Sequence, residues 1–333
     1  MNRIKYYIRR LKGLDIKNMW QTAKSISKET KKSTLFILLD MILCSFKYQA
    51  GYNDYYEYQF YLLNSKERKT FITVGIANSI ILKYNQKDSW TKFSEKNNFN
   101  EIFHDFLGRE HVDIRKNTEE EVIEFLKRNE KIVGKVTDSL MGNGIETFDT
   151  TTISDYKEFI ENRRSVRQFL LESYFEQHPD MAKLHPSSVN TVRVITFFDG
   201  EKVHIMQTVL KIGNHGSHLD NFGAGGMYTV LSDDGEVIYP AFDKDAKTYS
   251  VHPYSGAQIV GFKIPLFNEI VETLDRAARI VPEVQYVGWD VAIGKTKPAL
   301  IEGNFNTGVF QMKPSITGSK TGLLPKYKSI ISI

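Results

Sequence analysis

Near the C-terminus the sequence reads VGWDVAIGKTKPALIEGNFNTG over residues 287–308. Two apolar runs flank a short basic turn. Each run carries an acid where a strand is normally dry, Asp290 in the first and Glu302 in the second, and Asn304 follows Glu302 by two positions. The runs are rich in strand formers, and GKTK suits a hairpin turn. Side chains alternate faces along a strand, so Glu302 and Asn304 share one face. Pairing across the turn can bring Asp290 onto that face. Two carboxylates so close repel each other unless a cation sits between them. Hard oxygen donors, with no Cys or His beside them, suit Mg²⁺, which keeps waters and binds substrate phosphates. A surface hairpin with solvated acids is the bland alternative, and this segment alone does not separate the two.

Other residues could join such chemistry. Lys135 ends the apolar run KIVGKV, and a Gly-Asn-Gly turn follows at Gly142, Asn143 and Gly144. A lysine leaving a buried strand can set its ammonium against phosphate oxygens, and a glycine turn lets backbone N–H groups approach them. Neither a Walker A loop nor a Rossmann fingerprint is present. Glu172 closes a second apolar run, FLLESYF. A strand running from there into a linker offers backbone N–H and C=O groups to an adenine edge. In HPSSVNTVRV, Arg193 lies inside an apolar strand and needs an anionic partner; its fork suits phosphate or carboxylate, or a structural ion pair. Lys211, ending the next strand, is a second cation. The stretch GNHGSHLDNFGAGGM has glycines at 213, 216, 223, 225 and 226, a composition typical of loops that cover a site. Asn190 with Asp220, Asn221, Gly225 and Gly226 forms the candidate substrate-covering set.

These residues need elements to position them. Residues 1 to about 108 read as helices with periodic apolar positions, few glycines and no proline. The tyrosine-dense GYNDYYEYQFYLL is read as helix-packing surface. After Gly108 the texture changes. HVDIR reads as a strand, Asn117 as an N-cap with Glu120 in a capping box, KIVGKV and ETFDTT as strands, DYKEFIENRR as a helix. From residue 190 strands dominate, including EVIYPAF, with one amphipathic helix LFNEIVETLDRAARIV. Strands drawn from separate stretches, with prominent hairpins, predict an α+β fold rather than a βαβ alternation.

Composition narrows the class. The chain has 333 residues with ordinary globular usage, enough for one large domain or two. Its single cysteine, Cys44, excludes an internal disulfide framework and a Cys-based zinc site. The most apolar segment, LFILLDMILCSF, contains Asp40 and is too short to span a bilayer, so it predicts a buried helix. The basic start MNRIKYYIRRLKG is not followed by an apolar core with a cleavage site, and a cytoplasmic location is expected. Residues 1–32 hold ten Lys/Arg against Asp15 and Glu29. Such a start could touch an anionic membrane surface, at the inner face of the membrane, or simply form a solvated helix face. No nucleic-acid motif accompanies it.

The order of these features resembles the ATP-grasp superfamily, and within it the sugar-transfer associated ATP-grasp family found with polysaccharide biosynthesis. The resemblance is carried by VGKVTDSLMGNG, FLLESYFEQHP, HPSSVNTVRVITFFDG, HLDNFGAGG, VGWDVAI and LIEGNFNTG, and covers roughly residues 30 to 325. It implies two α+β lobes gripping ATP, preceded by a helical N-terminal region: 1–108 helical, 109–175 the nucleotide-binding lobe, 176–333 the C-terminal lobe with the metal site. It implies that Lys135 holds the α/β phosphates and that the Gly142–Gly144 turn folds over them. Glu172, Ser173, Tyr174 and Phe175 would line the adenine pocket, with Glu176 a ribose contact. Arg193 would steady the γ-phosphate or a substrate carboxylate, with Lys211 beside it, and Asp290, Glu302 and Asn304 would hold one or two Mg²⁺ ions. The phosphate turn departs from the family in being short, with Met141 and Asn143 among only two glycines. The implied activity is an ATP-dependent carboxylate–amine ligase acting through an acylphosphate. It would join an amino acid or peptide to a small-molecule, lipid-linked or nucleotide-linked sugar for surface polysaccharide. An ATP-dependent glycan kinase and a non-catalytic nucleotide-binding component of a glycan assembly complex are the rival readings.

Overall fold

The computed structural model of the chain describes residues 15–137, 144–215 and 220–333. The chain divides into two compact units, Met1–Lys83 with Gly308–Ile333, and Tyr84–Thr307. The expected break at 108 therefore falls inside the second unit. Phe93, Phe99, Phe103 and Leu107 are the reason: all four are buried in the core beneath its large sheet. Likewise the residues after Thr307 belong to the first unit.

In the first unit, helix α1 (Ile16–Thr30) is capped by Asp15, whose Oδ1 accepts from the Asn18 amide at 3.0 Å. Helix α2 (Thr34–Lys47) packs beside it. The tyrosine-rich stretch packs helices as its composition predicts, with Tyr48, Tyr55, Tyr58, Phe60 and Tyr61 buried in one cluster with Phe71. Inside this unit Arg68 grips Asp40 bidentately at 2.8 and 2.7 Å, and the Tyr55 hydroxyl donates to Asp40 at 2.7 Å. Cys44 is free and buried, and its burial pushes the thiol up to about 12. The expectation that α2 is a buried helix holds for one face only. Ile37, Met41 and Cys44 face the core, while Leu35, Phe36, Leu39 and Leu43 face outward. C-terminal residues complete this unit: the Gln311 amide exchanges hydrogen bonds with the Ile72 backbone at 3.1 and 2.9 Å.

The second unit holds two antiparallel sheets, as the hairpin-rich pattern predicts. The smaller has strands β1 (His111–Asp113), β2 (Lys131–Lys135), β3 (Ile145–Asp149) and β4 (Leu170–Ser173) in the order β1-β4-β2-β3. Helices α3 (Glu119–Arg128) and α4 (Tyr156–Ser165) belong to the same lobe, and Val122, Phe125, Leu126 and Ile160 fill its core with Ile132 and Leu171. The cap of α3 lies one residue later than the sequence pattern predicts. Thr118 is the N-cap and Glu121 completes the capping box, whereas the Asn117 side-chain Oδ1 accepts from the Asp113 amide at 3.0 Å.

The larger sheet runs β11-β10-β5-β6-β7-β8-β9. Its strands are β5 (Thr191–Phe198), β6 (Val203–Ile212), β7 (Met227–Val230), β8 (Ala241–Phe242), β9 (Thr248–Tyr249), β10 (Tyr286–Ile293) and β11 (Pro298–Asn304). The amphipathic helix α5 (Phe267–Ala278) lays Ile270, Leu274 and Ala277 into the core of this lobe with Val194, Trp289 and Leu300. Every residue of β5 and β10 is buried, so polar groups on them must be paired. The Trp289 indole, for instance, donates to the Thr196 hydroxyl at 2.9 Å. EVIYPAF is not one strand, as expected, but isolated bridges at Glu236 and Val237 followed by the two-residue β8. Pro240 explains the break, since it lacks the amide a ladder needs.

Candidate active site

Register decides which side chains meet. In the larger sheet Asp290 on β10 lies opposite Glu302 on one side and opposite Arg193 of β5 on the other. Lys211 of β6 lies opposite Thr191, two residues from Arg193. Directly paired residues and their i±2 neighbours share a face. Four strands therefore present a row of acid, acid, guanidinium and ammonium. The row is tightly connected. Arg193 donates through Nε and Nη2 to the two oxygens of Asp290, at 2.5 and 2.7 Å. Lys211 donates to Asp290 at 3.3 Å and lies 3.4 Å from Asp220. The guanidinium also lies 3.7 Å from Glu302.

Burial alone would raise the Asp290 carboxyl, yet the Arg193 and Lys211 cations together hold it well below the usual range. Glu302 goes the other way. Crowding by its neighbours raises it, and then the Asp290 charge and a hydrogen bond to Asp290 raise it further. Asn304 Nδ2 donates to Glu302 at 3.1 Å and to the Gly288 carbonyl at 3.4 Å. Among the described residues no group of three or more His, Cys, Asp or Glu is placed to hold a metal. The donor set here is two carboxylates and an amide. It fits a hard divalent ion: two carboxylates set opposite each other are a place where a cation relieves repulsion.

A second cluster centres on Glu172. Period-two alternation puts Lys131, Val133 and Lys135 on one face of β2, and all three line a cavity of about 880 Å³. Glu172, Ser173, Tyr174 and Phe175 line it from β4 and the linker beyond, Ile145, Glu146 and Thr147 from β3, and Thr191, Asp220 and Ile301 from the larger sheet's side. The cavity thus lies between the two sheets. Lys135 donates to Glu172, which also receives two bonds from Arg109 at 2.7 and 3.0 Å and one from Asn100 at 2.7 Å. Burial pushes the Lys135 ammonium down, and the Glu172 charge resists that. Burial would likewise raise Glu172, but Arg109 and Lys135 hold it far below its ordinary range. Glu172 is thus the anchor that places Lys135 at the cavity wall. Beyond it, Tyr174 is stacked by the Lys131 ammonium at 3.8 Å from the ring centre.

The remaining expected site residues separate clearly. Asp220 lines the cavity, accepts from the Thr191 amide at 3.0 Å and the Thr191 hydroxyl, and links the two clusters through Lys211. Asn190 is wholly buried and serves as a clamp: its amide donates to Met181 and His185 carbonyls at 2.9 and 3.0 Å and accepts from the Gly213 amide at 3.1 Å. Asn221 caps a short turn through the Gly223 amide at 3.0 Å. Gly225 holds φ +99°, and a Cβ on Gly226 would strike the Asp220 carbonyl. Glu176 pairs with Lys295 at 2.5 Å on the surface, outside the cavity lining. Gly144 accepts from the Val136 amide at 3.1 Å, whereas Gly142 and Asn143 lie outside the described residues. Sequence reasoning missed Arg109 and Lys131. Alternation from Lys135 could have found Lys131. Arg109 is 63 residues from Glu172, and no local pattern links them.

The model of the sugar-transfer associated ATP-grasp family matches residues 76–330. No curated protein matches the chain in sequence. Among solved structures, the ATP-grasp ligase PsnB complexed with a minimal precursor is similar at 12 % identity and TM-score 0.41, over 77 % of this chain and 66 % of that one. D-alanyl-alanine synthetase A from Vibrio cholerae is similar at 12 % identity and TM-score 0.40, over 72 % and 60 %. An L-amino acid ligase from Bacillus licheniformis is similar at 15 % identity and TM-score 0.40, over 70 % and 46 %. The chain spans less than two thirds of the length of each of these three. With the family model covering most of the chain and the order of site elements that it matches, this protein belongs to the sugar-transfer associated ATP-grasp family.

Proposed function

We propose that the protein is an ATP- and Mg²⁺-dependent carboxylate–amine ligase, working in the cytoplasm and attaching an amino acid or peptide to a sugar for surface polysaccharide. The observation that carries the ligase reading is the juxtaposition of a large cavity, walled by Lys131, Lys135 and the Ser173–Phe175 linker, with the acid–acid–Arg–Lys row of the larger sheet. The glycan half rests on the family's description alone.

In this reading adenine lies against Tyr174 and Phe175, and Lys135, aimed by Glu172, meets the α/β phosphates. A substrate carboxylate oxygen attacks the γ-phosphorus, the bond to the ADP oxygen breaks, and an acylphosphate forms. An amine nitrogen then attacks the acyl carbon, inorganic phosphate leaves, and the amine's proton passes to solvent. Arg193 and Lys211 keep Asp290 ionised and supply positive potential where the phosphoryl group passes. Asp290, Glu302 and Asn304 would hold Mg²⁺, which supplies charge neutralisation on the phosphate oxygens. Asp220, tied to both Thr191 and Lys211, fixes the wall between nucleotide and acceptor. No enzyme nucleophile is required.

The test is ATP turnover with Mg²⁺ and hydroxylamine, across uronic acids, nucleotide-linked uronic acids and amino acids. Hydroxylamine converts an acylphosphate to a hydroxamate. A hydroxamate with one acid supports ligation and names that half of the substrate. Phosphosugar without hydroxamate would move the assignment to a kinase.

A further inference from the structure

The first unit carries an apolar surface that the ligase reading does not use. On α2, Leu35, Phe36, Leu39 and Leu43 are 58, 60, 52 and 64 % exposed. Their spacing of one, three and four residues places them on one stripe, opposite the buried stripe of Ile37, Met41 and Cys44. On α1, Ile16 and Trp20 are 65 and 47 % exposed. A soluble chain seldom leaves so many large apolar side chains outward on one helix pair unless something covers them.

Charge tells what covers them. Lys17, Lys24, Lys28 and Lys31 on and after α1, and Lys47 at the end of α2, are all exposed. Ten of the 44 Lys/Arg in the chain fall within its first 32 residues, with only two of the 40 acids, so the remainder is net acidic. A second copy related by a two-fold axis would bring this lysine-rich face against itself, where like charges oppose association. An anionic lipid surface complements both parts: phosphate headgroups for the lysines, the acyl boundary for the leucines. Spanning is not available. A 14-residue helix such as α2 reaches roughly 21 Å, short of a hydrocarbon core of about 30 Å. No described helix is long and apolar enough to cross a membrane.

We propose that the α1–α2 pair docks on anionic lipid, lying in the headgroup plane with the Leu35–Phe36–Leu39–Leu43 stripe toward the acyl chains. The test uses the full chain with vesicles of phosphatidylcholine, with and without phosphatidylglycerol. The protein sediments with the anionic vesicles only, and the emission of Trp20 shifts to the blue, a shift absent in Trp20→Phe. Leu39→Glu with Leu43→Glu abolishes sedimentation, while the far-ultraviolet spectrum and nucleotide binding stay as in the wild type. Lys24→Ala with Lys28→Ala weakens binding by roughly tenfold or more and reduces its salt dependence. Sedimentation with both vesicle types alike, with neither, or undiminished in the Leu39/Leu43 variant would overturn the proposal. So would a dimer seen by light scattering that the Leu39/Leu43 variant dissociates, because a second copy would then own the face.

Discussion

Asp290 and Glu302 are neighbours in one row, yet their loss should read differently. Asp290 is buried and neutralises both Arg193 and Lys211. Asp290→Ala removes the bidentate partner of Arg193 and one of the two acids beside Lys211, and should cost about 3 kcal/mol, seen as a lower denaturation midpoint. Lost turnover in that variant would therefore not isolate a metal role. Glu302 is half exposed, so Glu302→Gln should keep wild-type stability within about 0.5 kcal/mol. It should nonetheless lose ATP turnover by two or more orders of magnitude. Normal turnover in Glu302→Gln would remove this residue from the metal site. Glu172 makes a separate prediction about pH. Its folded carboxyl lies below the ordinary value of 4.5, held there by Arg109 and Lys135 against burial. A depressed acid contributes stability that is present above its unfolded pKa and lost as pH falls through the folded one. Melting temperature should thus drop steeply below about pH 4.5 in the wild type. Glu172→Gln should start lower at neutral pH and show a flatter acid limb.

At the scale of elements, the cap of α3 and the 220–226 turn can be tested one residue at a time. Thr118 caps α3, and its hydroxyl oxygen accepts from the Glu121 amide at 3.2 Å. Thr118→Ala should cost about 1 kcal/mol in equilibrium unfolding, more than Thr→Ala at an uncapped surface site. The 220–226 turn depends on its glycines. Gly226→Ala would push the Asp220 backbone, and with it the Asp220 contacts to Thr191 and Lys211. A loss of about 1–2 kcal/mol is expected together with a raised KM for the acceptor, since that wall would shift. An unchanged KM would place Asp220 outside acceptor binding.

At the scale of the whole molecule, the first unit is discontinuous in sequence. Gly322 and Leu324 amides bond to Thr70 at 2.8 Å each, and Gln311 ties the C-terminal segment to Ile72. Deleting residues 308–333 should leave buried groups at residues 70–72 unsatisfied. Limited proteolysis should then cut within residues 15–83 while 84–307 resists. Binding should act on the second unit instead. Mg²⁺ with ATP at a hundred times its dissociation constant should stabilise the protein by about 2.7 kcal/mol, and a chelator should cancel most of that.

Much of the architecture was legible because it is written in local periodicity. Apolar runs of strand formers mark β2, β4, β5, β10 and β11, the GKTK turn joins the last two, and the amphipathic pattern marks α5. The pairing of Asp290 with Glu302 does not follow from the turn: the register that runs from Ile293–Pro298 to Val291–Leu300 would set Asp290 opposite Ile301, and a bulge between Asp290 and Val291 brings Glu302 there instead. Tertiary structure alone decided the rest, for one reason: it joins residues whose separation in sequence carries no signal. It set Arg193 against Asp290 across 97 residues, and Arg109 against Glu172 across 63. It made the cavity-lining Glu172 the anchor of Lys135, and it buried Asn190 among the carbonyls of Met181 and His185. It also sent the last residues back to the first unit. A sequence names which groups must find partners in a dry interior, and only the packed chain shows which partners they find.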